Sequence, residues 1–271
     1  MQQPATLVIT GSASGIGFGL ASEFIARGCN VMLSDLAGDT LSAAAARLGA
    51  VAGTRVASHA CDVRRLDELQ ALWNAARERF GRVDVWINNA GVGPPLIRYD
   101  EVPRDWIDRA LDVNVRGVMY GTQVALAGML GQPEGGAIYN TVGFGYDGRK
   151  QDNLTVYGTT KAAVRYFSES TAKELGDCPV KVSWLNPGFV LTPMTVEENR
   201  RVRERVGEAR WRKYRWVMNA MADSPEAACP WIVDRVLRSE RPIDRLPPGV
   251  FLRRLAASIL TRPNPLGAHG L

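Results

Sequence analysis

Short apolar runs alternate with helix-like segments along most of this chain, and that alternation constrains its fold more than any other feature. The strand-like runs cover residues 6–10, 30–34, 55–60, 83–87, 137–142 and 180–185. Between them, apolar residues recur at helical spacing over 15–27, 41–48, 66–80, 106–130 and 156–175. Parallel strands need helical crossovers, which cover both faces of a sheet. The pattern therefore predicts an α/β fold with a doubly wound parallel sheet flanked by helices.

The cysteine and histidine content excludes several kinds of site. Four cysteines are widely spaced without a C-x-x-C pair, and the chain has two histidines. We therefore expect no metal site and no disulfide framework, and the thiols suit a reducing compartment. No apolar run reaches the ~18 residues of a membrane span, and the N-terminus lacks the basic segment of a secretory signal. These observations predict a cytoplasmic protein with no stable membrane insertion.

A glycine-rich loop and an aspartate follow the first two predicted strands. The loop contains Gly11, Gly15 and Gly17. Glycines there let the backbone approach a pyrophosphate at a helix N-terminus, where unpaired N–H groups favour anions. Asp35 ends the second strand, where a carboxylate accepts hydrogen bonds from the ribose hydroxyls of adenosine and repels a 2′-phosphate. Because neither Ser14 nor Leu36 supplies a basic group, the pattern favours NAD over NADP.

Tyr157 and Lys161 are candidates for acid–base chemistry. Four residues apart in a predicted helix, they share one face. A phenol with an ordinary pKa near ~10 is too weak a base at neutral pH, but a nearby ammonium group lowers that pKa. We therefore predict that Tyr157 exchanges a proton with a substrate oxygen while a nicotinamide exchanges a hydride with carbon.

Six motifs together resemble the short-chain dehydrogenase/reductase family, closely over 6–194 and loosely to about 240. They are T-G-x-x-x-G-x-G at 10–17, an Asp-Val pair at 62–63, N-N-A-G at 88–91, Asn114 within VNVRG, Y-x-x-x-K at 157–161, and Pro187-Gly188 with Thr192. The resemblance implies a Rossmann-type fold, a nicotinamide cofactor, a small-molecule substrate and a homodimer or homotetramer. It also implies that Lys161 holds the nicotinamide ribose and that Asn114 anchors a water linking this lysine to solvent.

The motifs assign residues to three roles. The predicted cofactor contacts are Gly11, Ser14, Gly15, Ile16, Gly17, Asp35, Leu36, Asp62, Val63, Asn89, Ala90, Gly91, Tyr157, Lys161, Pro187, Gly188, Val190 and Thr192. The predicted catalytic residues are Tyr157, Lys161 and Asn114, and the predicted substrate contacts are Gly143, Phe144 and Tyr157. For Thr192, a helix N-cap before Pro193 is a second interpretation, and the two roles are compatible.

The family usually has a serine after the fifth strand, hydrogen-bonded to the substrate oxygen, and this sequence lacks it. Counting from the strand places it at Gly143, and counting back from Tyr157 places it at Phe144. Three explanations stay open: another group substitutes, the substrate does not need the serine, or catalysis has been lost. The candidate substitutes are Thr141, Tyr146 and Asn153.

The part of the chain that follows the family resemblance is expected to form the substrate side of the site. We predict one domain over 1–271, with a helical lid over the substrate at 194–222 and a C-terminal extension at 245–271. The lid contains Met194, Trp211, Tyr214, Trp216, Met218 and Met221, which either line an apolar pocket or form the core face of the lid helices. The basic stretch 200–215 alternates with acidic and apolar residues, which favours a solvated helix face over a nucleic-acid surface. Residues 246–260 suit an amphipathic helix in a subunit or lid contact rather than on a membrane surface, and 262–271 suit a mobile end.

The sequence thus predicts an NAD(H)-dependent oxidoreductase that interconverts a hydroxyl and a carbonyl on a small, largely apolar, cyclic or aromatic molecule. Tyr157 is the predicted acid or base. Two alternatives follow from the missing serine: an imine or C=C reductase of the same family, and a non-catalytic dinucleotide-sensing protein.

Overall fold

Seven parallel strands form the central sheet of the structure, a computed structural model that describes residues 4–93 and 95–271. Their order is β3-β2-β1-β4-β5-β6-β9. The strands are β1 (Thr6–Thr10), β2 (Asn30–Asp35), β3 (Val56–Ala60), β4 (Val85–Asn88), β5 (Gly136–Thr141), β6 (Val180–Asn186) and β9 (Ile243–Asp244). Two shorter strands, β7 (Phe189–Val190) and β8 (Ala222–Asp223), pair separately. The predicted Rossmann-type fold is confirmed, and each of the six predicted strands ends within two residues of its prediction.

Helices connect the strands and cover both faces of the sheet. They are α1 (Gly15–Ala26), α2 (Asp39–Ala52), α3 (Leu66–Phe80), α4 (Arg104–Leu111), α5 (Gly117–Leu130), α6 (Thr155–Leu175), α7 (Pro193–Val206), α8 (Glu208–Met221), α9 (Pro225–Leu237) and α10 (Pro248–Thr261). The helix predicted over 106–130 is present as one helical run over 104–130, in which a π-helical turn at Asp112–Arg116 lies between α4 and α5. The apolar spacing does not reveal such a turn, which inserts one residue within a helix.

Strand β1 shows how the sequence builds two cores. Leu7 and Ile9 belong to a cluster with α1, α2 and α9, whereas Val8 belongs to a cluster with α3 and α5 on the other face. All three side chains are fully buried. Because successive side chains of a strand point to opposite faces, a continuous apolar run is what a sheet covered on both sides requires.

The lid and the C-terminal segment pack together. Helices α7 and α8 cover the carboxyl end of the sheet, and residues 265–269 form a short 3₁₀ turn against them. Leu266 and Leu271 are buried in one cluster with Trp211 of α8. The structure therefore contradicts the prediction of a mobile end over 262–271, because two leucines anchor a segment that its prolines and glycines made look unstructured.

The sheet leaves a cleft where its winding reverses. From β1 the chain moves outward to β2 and β3, then returns to β4 on the other side of β1. Ligands of doubly wound sheets bind at such a point, beyond the carboxyl ends of the strands. A cavity of about 780 Å³ lies there, between the sheet and the lid. Within the described part of the chain, no helix has the length and apolar character needed to cross a membrane.

Candidate active site

One cavity brings the predicted site residues together. Every residue assigned to the cofactor or to the substrate lines it. Asn114 does not line the cavity and lies buried behind it. Residues that are up to 181 positions apart in the sequence, from Gly11 to Thr192, thus share one cleft.

The glycine loop and the segment after β4 hold each other in place. Gly11 has a left-handed backbone, with φ of +64°, and a Cβ there would lie 2.7 Å from the Cα of Ala90. The Thr10 hydroxyl accepts hydrogen bonds from the backbone N–H groups of Asn89 and Ala90, both at 3.1 Å. The Asn89 side-chain amide donates to the carbonyls of Thr10 and Gly11, each at 3.0 Å. Two predicted cofactor segments therefore form one rigid wall.

The N-terminus of α1 faces this wall without a side-chain cap. Ser14 occupies the N-cap position in an extended conformation, but its side chain makes no capping hydrogen bond. The first-turn N–H groups of a helix have no partner within the helix, so this end suits an anion. A Cβ on Gly15 would lie 3.1 Å from the Thr192 side chain, so the loop after β6 closes over the same end. Thr192 caps α7 through a reciprocal pair with Thr195, as its second interpretation predicted.

Two carboxylates lie at the far end of the cleft. The Asp35 oxygens accept from the backbone N–H groups of Ala13 at 3.1 Å and Leu36 at 2.9 Å, which fixes the carboxylate beside the glycine loop. Asp62 pairs with Arg64 at 2.5 Å, and this guanidinium lowers the pKa of the Asp62 carboxyl. Arg64 thus already has a carboxylate partner in Asp62. The loop, the uncapped helix end and Asp35 together fit the pyrophosphate and ribose of a dinucleotide.

Lys161 and Tyr157 lie together on α6, as predicted, but the pKa of Tyr157 differs from the prediction. The Lys161 ammonium donates to the Thr141 carbonyl at 3.0 Å and lies 5.6 Å from the centroid of the Tyr157 ring. Burial lowers the pKa of Lys161 to about 8. Burial, with a further contribution from Glu198, raises the pKa of the Tyr157 phenol well above its ordinary value. The expected lowering is absent because the ammonium group bonds a carbonyl, and loss of hydration dominates.

Asn114 connects the loop after β4 to α6. Its side-chain oxygen accepts from the Val92 N–H at 2.8 Å, and its amide donates to the Val92 carbonyl at 2.9 Å and to the Thr160 hydroxyl at 3.3 Å. Thr160 in turn donates to the Tyr157 carbonyl at 2.7 Å. The side chain thus positions the helix that carries Tyr157. Water anchoring by Asn114 stays a prediction.

Gly143 is the residue that faces the Tyr157 hydroxyl. A Cβ on Gly143 would come closer than 3.0 Å to the phenolic oxygen, and would lie 3.3 Å from Cζ and 3.4 Å from Cε1. Phe144 also lines the cavity, with the Arg149 guanidinium 5.9 Å from its ring centroid. Of the two positions counted from the sequence, 143 is therefore the one next to the phenol.

The three candidate substitutes for a serine are placed differently. The Thr141 hydroxyl is buried and has no hydrogen-bond partner among the described residues. The Tyr146 hydroxyl donates to Asp244 at 2.6 Å. Asn153 is not one of the residues that line the cavity. Thr141 thus lines the cavity with a hydroxyl that has no partner in the described structure, whereas Tyr146 lines it with a hydroxyl already bonded to Asp244.

The lid divides its apolar residues between cavity and core. Met194, Tyr214, Met218 and Met221 line the cavity, whereas Trp211 is buried in the core and the Trp216 side chain is 42% exposed. Both interpretations of this segment therefore hold, for different residues.

Sequence reasoning missed one charged residue of the lid. Glu198 lines the cavity, and one of its carboxylate oxygens lies against Gly93. Burial raises the pKa of its carboxyl to about 7. Its position four residues after Met194 places both on one helix face, a spacing that could have indicated it.

The sequence profile described as short chain dehydrogenase matches residues 5–203. The chain is 34% identical over 202 residues to chlorophyll(ide) b reductase NOL of Oryza sativa, which covers 72% of this chain and 58% of that protein. It is 32% identical over 196 residues to D-beta-hydroxybutyrate dehydrogenase of Cupriavidus necator, covering 71% and 73%. The chain spans 41–66% of the lengths of the four chlorophyll(ide) b reductases that it matches.

Solved structures agree with the sequence matches. A short chain dehydrogenase/reductase from Burkholderia phymatum, in complex with NAD, superposes with a TM-score of 0.78 at 26% identity, covering 97% of this chain and 96% of that one. L-sorbose reductase from Gluconobacter frateurii, complexed with NADPH and L-sorbose, superposes with a TM-score of 0.74 at 27% identity, covering 86% and 89%. Together with the seven-stranded parallel sheet, these matches show that the chain belongs to the short-chain dehydrogenase family.

Proposed function

We propose that this protein is an NAD(H)-dependent oxidoreductase that interconverts a hydroxyl and a carbonyl on a small, largely apolar, cyclic or aromatic molecule. The observation that carries the proposal is the shared cleft: the glycine loop, Asp35, Lys161 and Tyr157 line one cavity. Binding groups and an acid–base group on one cavity are what hydride transfer with a coupled proton requires.

NAD rather than NADP is supported by the charge at the ribose end of the cleft. Asp35 is held there by two backbone hydrogen bonds, and the neighbouring Leu36 has no charge. When bound, the dinucleotide supplies the hydride. The first turn of α1 would hold its pyrophosphate, Asp35 its adenosine ribose, and Lys161 its nicotinamide ribose.

The raised pKa of Tyr157 bears on the role of its phenol. With a pKa well above its ordinary value, the phenol keeps its proton at neutral pH. We therefore propose that Tyr157 acts as the proton donor to the substrate oxygen when the carbonyl is reduced near pH 7. Oxidation of the alcohol needs the phenolate, so its rate rises with pH.

The missing serine supports one alternative within the family. Gly143 supplies no hydroxyl beside Tyr157, and a missing hydrogen-bond donor at a developing oxyanion costs about 10²–10³ in rate. An imine develops no oxyanion, so reduction of C=N, or of C=C, is the second candidate. A non-catalytic dinucleotide sensor is a third, against which the joint presence of Tyr157 and Lys161 on the cavity argues.

We further propose a cytoplasmic homodimer or homotetramer. The four cysteines are free thiols, which suits a reducing compartment. Exposed apolar side chains on α5 and α6, among them Met119, Leu130 and Tyr166, supply surface for subunit contacts. Analytical ultracentrifugation tests the oligomer, since a monomer at all concentrations contradicts it.

A panel assay tests the proposed activity. NADH oxidation is followed at pH 7 with apolar cyclic ketones, aromatic ketones and cyclic imines, for the native protein and for Tyr157→Phe. We expect the native protein to reduce ketones and the variant to do so at a rate lower by about 10²-fold or more. Both proteins should bind NADH equally. Turnover of imines alone favours the second candidate. Tight NADH binding without any turnover refutes the proposed activity and favours the sensor.

A further inference from the structure

Glu198 brings an acidic group into the substrate end of the cavity. Its side chain projects from α7 toward the loop after β4, where a carboxylate oxygen lies against Gly93. Tyr157 of α6 and Tyr214 of α8 line the same cavity, and the Glu198 carboxyl contributes to the raised pKa of both phenols. The carboxyl therefore shares the cavity with the acid–base residue.

The Glu198 carboxyl has no partner among the described residues. It forms no salt bridge, and its side chain makes no hydrogen bond there. Arg201, a cation on the same helix, pairs with Glu197 at 3.1 Å. Glu198 is partly buried at the cavity wall, and because an ionised carboxyl without a partner is costly to desolvate, a cationic ligand is the group that would compensate it.

Among the described residues, the cations that line the cavity form no salt bridge with Glu198. The Arg149 guanidinium pairs with Asp147 at 2.6 Å, and the Lys161 ammonium donates to a backbone carbonyl at 3.0 Å. The Arg109 guanidinium lies 5.2 Å from the centroid of a tryptophan ring. The carboxyl therefore has no cationic partner in the described structure.

The cavity that Glu198 lines also contains aromatic and thioether side chains. Phe144, Tyr157 and Tyr214 line the same cavity, as do the lid methionines. The faces of aromatic rings attract cations, and methionine side chains adapt to irregular ligands. A carboxylate among aromatic rings is a site suited to an organic ammonium group.

We infer that the substrates of this protein carry a protonated amine, which Glu198 binds through a charge-assisted hydrogen bond beside the reacting carbon. This inference rests on the proposed function, because it assigns the substrate end of the same cavity. It makes Glu198 a specificity-determining residue. A neutral hydroxyl group would leave the charge of the carboxylate uncompensated, which is why a cation is the occupant that the site favours.

Calorimetry with simple probes tests this inference without any need for turnover. The NADH-bound protein at pH 8 is titrated with benzylamine, as its ammonium ion, and with benzyl alcohol as a neutral counterpart of similar size. Three proteins are compared: the native protein, Glu198→Gln, and Glu197→Gln as a control on the exposed side of the same helix. NADH affinity, measured first, establishes that each variant is folded.

We expect the native protein and Glu197→Gln to bind benzylammonium at least about tenfold more tightly than benzyl alcohol, as a charge-assisted hydrogen bond provides. Glu198→Gln should lose that preference and keep its affinity for benzyl alcohol. Equal binding of the two probes by the native protein overturns the inference. An unchanged preference in Glu198→Gln also overturns it. The inference is overturned as well if Glu198→Gln changes only the ratio of NAD⁺ affinity to NADH affinity. Because the probes need not react, these results are independent of the panel assay.

Discussion

Gly143 offers the sharpest test of how the acid–base site is built. A Cβ added there would lie less than 3.0 Å from the Tyr157 hydroxyl oxygen, a distance that real Cβ atoms essentially never show. Ordinary van der Waals contact begins at 3.4 Å. Either Gly143→Ser or Gly143→Ala therefore forces the phenolic oxygen to move by roughly 1 Å, and a displacement of that size costs about 10²-fold in rate. Although serine would restore the group usual in the family, we expect it to impair this protein.

The assay is steady-state carbonyl reduction by the native protein and both variants, with NADH affinity as the control for an intact cleft. We expect kcat to fall by about 10²-fold in both variants and NADH binding to persist. Alanine separates the effect of bulk from that of the hydroxyl. A rise in kcat for Gly143→Ser together with a fall for Gly143→Ala would refute the steric reasoning and show that a hydroxyl fits beside Tyr157.

Three further predictions concern single side chains. Asp35→Asn removes the charge at the ribose end, so we expect the preference for NADH over NADPH to fall by about tenfold in KM, and an unchanged preference contradicts the role of Asp35. Tyr146→Phe removes a hydrogen bond to Asp244, so urea unfolding should show a loss of about 1–2 kcal/mol with kcat unchanged, whereas a large loss of kcat would identify Tyr146 as the substitute donor. Because the pKa of Glu198 is raised to about 7 in the folded protein, its ionised carboxyl destabilises the fold. This destabilisation is absent below pH 4.5 and reaches its full size above pH 7. Glu198→Gln should therefore raise the free energy of unfolding by about 1–3 kcal/mol at pH 8 and leave it unchanged at pH 4, and equal stability at both pH values contradicts the raised pKa.

The fold could be predicted from sequence because its elements carry their own periodicity. Thr6–Thr10 is buried throughout and has three consecutive apolar residues at its centre, as suits a strand covered on both faces, and Leu66–Phe80 shows helical spacing over four turns. The two-residue strand Ile243–Asp244 has no period to detect, and it forms because β6 offers an open edge. The π turn at Asp112–Arg116 was not predicted for a related reason, since a five-residue turn within a helix is too short to have a period of its own.

The residues of the candidate site also fall into those that a local pattern predicts and those that only the complete fold brings together. Residues fixed by local motifs, such as the glycine loop and Tyr157 with Lys161, were found because short spacings place them together. The pKa of Tyr157 is raised where the sequence predicts a lowered one, since burial depends on the whole fold and outweighs the ammonium group. Glu198 was missed because only the packing of the lid over Gly93 brings it to the cavity.

A crystal structure with NADH and an unreactive ketone analogue tests the central claim most directly. We predict the nicotinamide ribose hydroxyls within hydrogen-bond distance of the Lys161 ammonium, and the analogue's oxygen within hydrogen-bond distance of the Tyr157 hydroxyl, beside Gly143. A dinucleotide bound outside this cleft, or an analogue oxygen that faces away from Tyr157, would contradict the assignment of this cavity as the site of hydride and proton transfer.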